Sequence, residues 1–260
     1  MSAAAESSAS DERAISIAWQ VGLAITIAMG VGIPALASVG ALAVGQALGY
    51  PLTNGFNLPY LYAQHGIQLL LALAAIGIVR RWVPADYGMH WPRGRTYFRA
   101  AILWGAAFAV IMTIVGDAPL ILAHRAPTLD YPLTLRNIAG WLIFEGVYVG
   151  PCEEIPFRAL MVTFLSATMP GKIRFANFEM NRAGVVVAVI FALLHINTFW
   201  QAPWPIALGQ QFYAFALGVL YAYWLEKSAS IAAPILAHNI ADGLSFCIMY
   251  IWVWLYTAAI

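Results

Sequence analysis

The chain has 260 residues, of which 62% are hydrophobic and 10% charged, and its formal net charge is +1. Soluble domains carry about 25% charged residues, so this composition excludes a water-soluble globule and predicts an integral membrane protein. A nearly neutral chain has no basic face for nucleic acid, and only two cysteines, Cys152 and Cys247, argue against a disulfide framework.

The first elements in chain order are a polar tail and a long apolar run. Residues 1–13 are rich in serine and alanine and predict a disordered tail, so residues 14–260 form a single transmembrane helical domain. The apolar run 15–50 is too long for one straight span and contains Pro34. It predicts either a kinked helix or a hairpin.

The remaining runs predict an all-α, polytopic transmembrane helix bundle of about seven spans, or eight if the first run is a hairpin. The later spans are expected at 60–79, 100–122, 137–169, 183–200, 206–225 and 230–256, the last with a bend at Pro234. Arginines concentrate in the loop before the third span, and basic residues recur between the fourth and fifth spans. Positive loops are typically cytoplasmic, which predicts a multi-pass protein with these loops inside the cell. A bacterial inner membrane is the expected location.

The fourth span contains an energetic anomaly, because Glu153, Glu154 and Arg158 lie within six residues of one another. Each charge at the centre of a span costs about 2.5–3.5 kcal/mol on insertion scales. Glu154 and Arg158 are spaced i,i+4 and can pair on one helix face, which leaves Glu153 for another partner. Pro156 removes a backbone donor in this turn and should loosen the helix.

Two further polar sets reach a similar depth. At 1.5 Å per residue, Glu153 lies about 25 Å from Arg136, His195 about 20 Å from Arg182 and His238 about 17 Å from Lys227. Asp242 follows His238 at i,i+4. These side chains, on three helices between residues 137 and 245, are therefore expected to meet in one cavity.

That set of side chains suits the hydrolysis of an amide by an activated water. A carboxylate and an imidazole can take a proton from water, and a second imidazole can donate to an oxyanion. The same groups, Glu153, His195 and His238, could also hold a divalent metal such as zinc in an open three-ligand site. No serine or cysteine lies in a comparable set.

The order and spacing of these residues resemble the CAAX protease and bacteriocin-processing family of intramembrane endopeptidases, which includes the type II CAAX prenyl endopeptidases. The resemblance rests on Glu-Glu-x-x-x-Arg at 153–158, Phe-x-x-x-His at 191–195 and His-x-x-x-Asp at 238–242. It implies that Glu153 activates water beside His195, and that Glu154 and Arg158 hold the helix. His238 and Asp242 would support the oxyanion or complete the polar cluster, and the substrate would be a membrane-tethered peptide or protein.

Departures and alternatives stand beside that resemblance. Asp242 occupies a position where the family more often has asparagine. An ionised aspartate cannot donate to an oxyanion, so Asp242 would be protonated, or orient His238, or bind a metal. His65, Gln64 and Gln68 are expected as interhelical hydrogen-bond partners, and Glu145 as a cavity-lining or snorkelling side chain. A non-catalytic immunity or scaffold protein of the same fold, or a proton-coupled transporter, would carry similar buried charges.

Overall fold

The computed structural model describes residues 17–49, 58–176 and 178–258, so the predicted tail at 1–13 lies outside the described residues. The helices α1 to α5 are Trp19–Ala47, Leu58–Val79, Phe98–Gly116, Ala118–Leu122 and Leu135–Ile143. Two π-helical segments, π1 (Phe144–Tyr148) and π2 (Ile155–Val162), flank α6 (Val149–Glu154), and α7 (Thr163–Thr168) follows. After the strands β1 (Lys172–Phe175) and β2 (Phe178–Asn181) come α8 (Arg182–Leu193), α9 (Thr198–Gln201), α10 (Trp204–Ser228) and α11 (Ala232–Ala258).

Five helical stretches within the described residues are long and apolar enough to cross a membrane: Trp19–Ala47, Leu58–Val79, Phe98–Gly116, Arg182–Gln201 and Ala232–Tyr256. The seven predicted spans are therefore not all matched. The predicted span 137–169 is helical but carries several charges and two π-helical interruptions, and the span 206–225 falls on α10, whose glutamines and tyrosines lower its hydropathy. The coarser prediction of a mostly helical membrane bundle is supported.

The first apolar run forms one helix, α1, with Pro34 inside it. The hairpin alternative, and with it the count of eight spans, is wrong. Pro234 occupies the first turn of α11, where a missing N–H is tolerated, so α11 continues through it. Large apolar side chains such as Leu36, Leu103 and Phe212 are more than 60% exposed, as expected for surfaces that contact lipid.

A small antiparallel hairpin departs from the all-α prediction. β1 pairs with β2 from Lys172–Asn181 to Phe175–Phe178, and Glu179 on β2 forms ion pairs with Lys172 and Arg174 on β1. Polar and apolar residues alternate along both strands, which is the period expected of a strand. The hairpin connects α7 to α8.

The helical run 135–168, from α5 to α7, is here called the motif helix, and it is the packing centre of the bundle. It contacts α1, α2, α8, α10 and α11, and the principal buried apolar cluster surrounds its second half. α11 approaches it most closely where Gly243 meets Gly146, since a Cβ on Gly243 would lie 2.8 Å from the Cα of Gly146. This close approach brings the polar residues of α11 next to Glu153 and Glu154.

Candidate active site

Two prolines open the hydrogen-bond ladder of the motif helix around the glutamates. In an α-helix the N–H of residue 151 would donate to the carbonyl of Val147, and that of residue 156 to the carbonyl of Cys152, but both positions are proline. The segment π1 ends three residues before Pro151, and π2 begins one residue before Pro156. The prediction that Pro156 loosens the helix agrees with the position of π2.

Side chains from neighbouring helices take the places of the missing donors. Nδ2 of Asn239 donates to the carbonyl of Val147 at 3.2 Å, and its Oδ1 accepts from the N–H of Gly150 at 2.9 Å. Nε2 of Gln68 donates to the carbonyl of Cys152 at 3.0 Å. The turn that carries Glu153 and Glu154 is thus fixed from both sides, by α11 and by α2.

Glu154 and Arg158 form the predicted ion pair, with Nε of Arg158 3.2 Å from Oε2 of Glu154 and both side chains fully buried. The guanidinium also lies over the rings of Phe191, 4.4 Å from its centroid, and Tyr221, at 5.4 Å. The pair is not isolated, because Oε1 of Glu154 lies 2.7 Å from Nδ1 of His238. Glu154 therefore links the motif helix to α11 as well as to Arg158.

His238 is bracketed by carboxylates. Its Nδ1 faces Glu154, its Nε2 lies 3.0 Å from Oδ2 of Asp242, and the same Nε2 lies 3.8 Å from Oε2 of Glu153. The i,i+4 contact between His238 and Asp242 fixes the imidazole ring on the helix that carries both residues. Asp242 is consequently placed to orient His238.

Glu153 points away from Arg158, as the spacing predicts, and meets a residue that the sequence did not single out as catalytic. Its Oε1 lies 3.3 Å from Nε2 of His65 on α2, while its Oε2 is the oxygen directed toward His238. His65 was predicted only as an interhelical hydrogen-bond partner. Depth along the span indicates that His65 can reach the cavity, because it lies about 22 Å from Arg80 and His195 lies about 20 Å from Arg182.

His195 follows the end of α8, and its ring is fixed by its own backbone. Nδ1 lies 2.9 Å from the carbonyl of Phe191, one turn earlier, and the two rings pack edge to face with centroids 5.0 Å apart. A carbonyl only accepts, so Nδ1 carries the proton and Nε2 of the neutral ring is left with its lone pair. Among the described residues no hydrogen bond occupies that Nε2.

These groups meet in one cavity of about 290 Å³. Glu153, His195, His238 and Asp242 line it, whereas Glu154 and Arg158 lie behind its wall. Additional polar side chains in the lining are His65, Glu145, Gln210, Tyr213 and Tyr221. Glu145 is thus cavity-lining, one of the two positions predicted for it, and Asn239 is a supporting residue that sequence reasoning missed.

The predicted metal ligands do not fit a metal site in this arrangement. In the part of the chain that the structure describes, no group of three or more His, Cys, Asp or Glu side chains is placed to hold a metal ion. The reason lies in His238, whose two ring nitrogens both face carboxylate oxygens of Glu154 and Asp242. The set Glu153, His195 and His238 is therefore not assembled as ligands, and no catalytic step is assigned to a metal.

Comparison with known proteins gives one match. A family model described as type II CAAX prenyl endopeptidase, Rce1-like, matches residues 135–244, which is less than half of the chain. The matched segment begins with the motif helix and includes His195, His238 and Asp242, but not α2 with His65. Neither a curated protein nor a solved structure matched the chain.

Proposed function

We propose that this chain is an intramembrane endopeptidase of the Rce1-like family, whose model matches residues 135–244, and that Glu153 activates the attacking water. The observation that carries the proposal is the position of Glu153. Its Oε2 is free of the Arg158 pair and shares a cavity with the open Nε2 of His195. A water between these two atoms would have a base on one side and an imidazole on the other.

The proposed reaction uses only side chains of the cavity. Glu153 takes a proton from water while the oxygen attacks the carbonyl carbon of the scissile amide, and His195 orients that water. His238 faces carboxylates with both ring nitrogens, Nδ1 toward Glu154 and Nε2 toward Asp242, so it would donate from both as an imidazolium. Its positive charge at the cavity wall would then favour the developing oxyanion. Glu153 then returns its proton to the leaving nitrogen as the C–N bond breaks, which yields a carboxylic acid and an amine.

A membrane-tethered substrate is supported by a second, lipid-facing cleft. Apolar side chains of α8, α9, α10 and the turn after α8 line a cleft of about 420 Å³. They include Ile196, Phe199 and Phe212, and Phe212 is 72% exposed. Consecutive residues line the two spaces, His195 the catalytic cavity and Ile196 the cleft, so the same turn contributes to both. An apolar tail in this cleft would present the adjoining peptide to Glu153.

The two basic loops lie at one end of the bundle, which supports the proposed topology. Asp86 in the arginine-rich loop, Lys172 in the hairpin and Glu226 near the end of α10 line the same surface depression. Basic loops that share one end are expected on the cytoplasmic side, and we propose a multi-pass protein of a bacterial cell membrane with this orientation.

The proposal is tested with purified protein in proteoliposomes and an internally quenched, farnesylated peptide that ends in Cys-a-a-X, with its unprenylated counterpart beside it. General-base catalysis contributes about 10²–10⁴-fold, so Glu153→Gln should lose activity by that factor while it stays folded. The control is His124→Asn, a change at an exposed loop residue with φ +51°, a conformation that asparagine adopts readily. Cleavage that survives Glu153→Gln would favour a non-catalytic role for the cavity.

A further inference from the structure

His65 contacts Glu153 but lies outside the residues that the family model matches. It lies on α2, outside residues 135–244, with its side chain 13% exposed and its Nε2 3.3 Å from Oε1 of Glu153. The other carboxyl and imidazole groups that line the cavity with Glu153 are His238 and Asp242 on α11, His195 after α8 and Glu145 on the motif helix. Among the described residues, only His65 makes a hydrogen bond to the carboxylate.

The tautomer of His65 follows from its second contact. Nδ1 lies 3.0 Å from the carbonyl of Leu61, one turn earlier, and a carbonyl can only accept. Nδ1 therefore carries a proton, and the contact between Nε2 and Glu153 requires one more. Since a general base must be unprotonated, that proton resides on Nε2 when Glu153 acts on water, and His65 donates through it to Oε1.

The position of His65 is rigid because α2 is joined to the motif helix on both sides of it. Gln68, one turn later, donates to the carbonyl of Cys152, and Tyr62, one turn earlier, accepts at its carbonyl from the hydroxyl of Tyr148 at 3.1 Å. The ring of Phe144 packs edge-on against the imidazole, with centroids 5.0 Å apart. A ring fixed in this way can set the direction of the carboxylate that it contacts.

We propose that His65 is a positioning residue for Glu153: it holds Oε1 so that Oε2 stays directed into the cavity, where water is activated. The inference rests on the proposed function, because it assigns His65 to the reaction of Glu153. Without His65 the carboxylate would rotate about its terminal torsion, which is soft, and Oε2 would leave its working position. A misplacement of about 1 Å can cost about 10²-fold in rate.

Two amide substitutions separate the contacts of His65. In His65→Gln the amide nitrogen occupies nearly the place of Nε2 and can still donate to Glu153, whereas in His65→Asn it replaces Nδ1 and reaches only Leu61. We expect His65→Asn to lower kcat for the farnesylated peptide about 10²-fold with KM within about twofold, and His65→Gln to restore at least a tenth of the lost rate. The matched control is His124→Asn. Equal losses in both His65 variants, or wild-type kcat in His65→Asn, would overturn the proposal.

A measurement that needs no activity separates this proposal from the proposed function. The protein has five histidines, so ¹⁵N-histidine labelling gives a resolvable spectrum in which the His65 signals are identified by their loss in His65→Gln. Glu153→Gln should move the Nε2 resonance of His65 and leave that of His124 in place. An unmoved His65 signal refutes the contact. Failure of the wild type to cleave the peptide, with a moved signal, refutes the peptidase assignment while the contact stands.

Discussion

Replacing Gln68 by leucine measures how much the amide on α2 contributes where Pro156 interrupts the motif helix. Gln68 is 4% exposed, and its Nε2 donates to the carbonyl of Cys152 at 3.0 Å. Leucine keeps the volume and removes the donor, which leaves that carbonyl without the side-chain partner. An unsatisfied buried group costs about 1–3 kcal/mol, and side-chain hydrogen bonds in membrane proteins average about 0.6 and reach about 1.7 kcal/mol. We therefore expect a loss of about 1–1.5 kcal/mol in unfolding free energy.

A double-mutant cycle measures the coupling free energy between Gln68 and Pro156. In a Pro156→Ala background the alanine N–H can donate to the carbonyl of Cys152, so Gln68→Leu should cost about 0.5 kcal/mol there, and the coupling should be about 0.5–1 kcal/mol. Unfolding in mixed micelles, followed by circular dichroism, gives all four free energies.

Gln64→Leu is the matched control on the same helix, because among the described residues the amide of Gln64 donates only to Gln68, at a long 3.5 Å. Its expected cost is below about 0.5 kcal/mol. The reasoning is refuted if Gln68→Leu costs the same with and without Pro156, or if Gln64→Leu is as destabilising as Gln68→Leu.

Two further predictions concern groups on α11 and in the loop before α3. Asp242→Asn keeps an oxygen that can face Nε2 of His238, so its peptidase activity should stay within about tenfold of wild type. Asp242→Ala removes that oxygen and should lose about 10²-fold in activity. Equal losses in the two variants would show that the ionised carboxylate itself is required. In the loop, a hydrogen bond to the carbonyl of Trp91 and then the Asp86 carboxylate raise the pKa of His90 above its ordinary 6.5. Asp86→Asn should lower that pKa in an NMR titration, and an unchanged midpoint would exclude the contact. The contribution of His90 to stability is present below its unfolded pKa and lost as pH rises through its raised folded pKa.

Local spacing was sufficient for the parts of the site that lie on one helix. The i,i+4 rule predicts both the Glu154–Arg158 pair and the His238–Asp242 contact, which the structure places at 3.2 and 3.0 Å. Depth counted along each span predicts that Glu153, His195 and His238 meet, and they line one cavity. These inferences succeed because helix geometry alone fixes which residues share a face and a level.

The features that sequence reasoning missed depend on which helices are neighbours. Asn239 is an ordinary polar residue in its own helix, and only the packing of α11 against the motif helix shows what it contacts. The prediction of His65 as an interhelical hydrogen-bond partner is confirmed, but only the packing of α2 identifies Glu153 as that partner. Helix periodicity also could not test the metal site. His238 contacts Asp242 within its own helix, which spacing predicts, but it contacts Glu154 on another helix, which spacing does not predict. The hairpin 172–181 differs from the prediction for another reason: its charged residues predict a basic loop, although they alternate with apolar ones as in a strand.

The central claim, that Glu153 hydrolyses peptide bonds of membrane-tethered substrates, is tested most directly by comparative proteomics of membrane-protein C-termini and small peptides. Cells that carry the wild-type chain are compared with cells that carry Glu153→Ala at equal abundance of the protein. The account predicts that a set of truncated C-termini and their released peptides is present in the wild type and absent in Glu153→Ala, while the full-length precursors accumulate. Identical sets of C-termini and peptides in the two strains would contradict it.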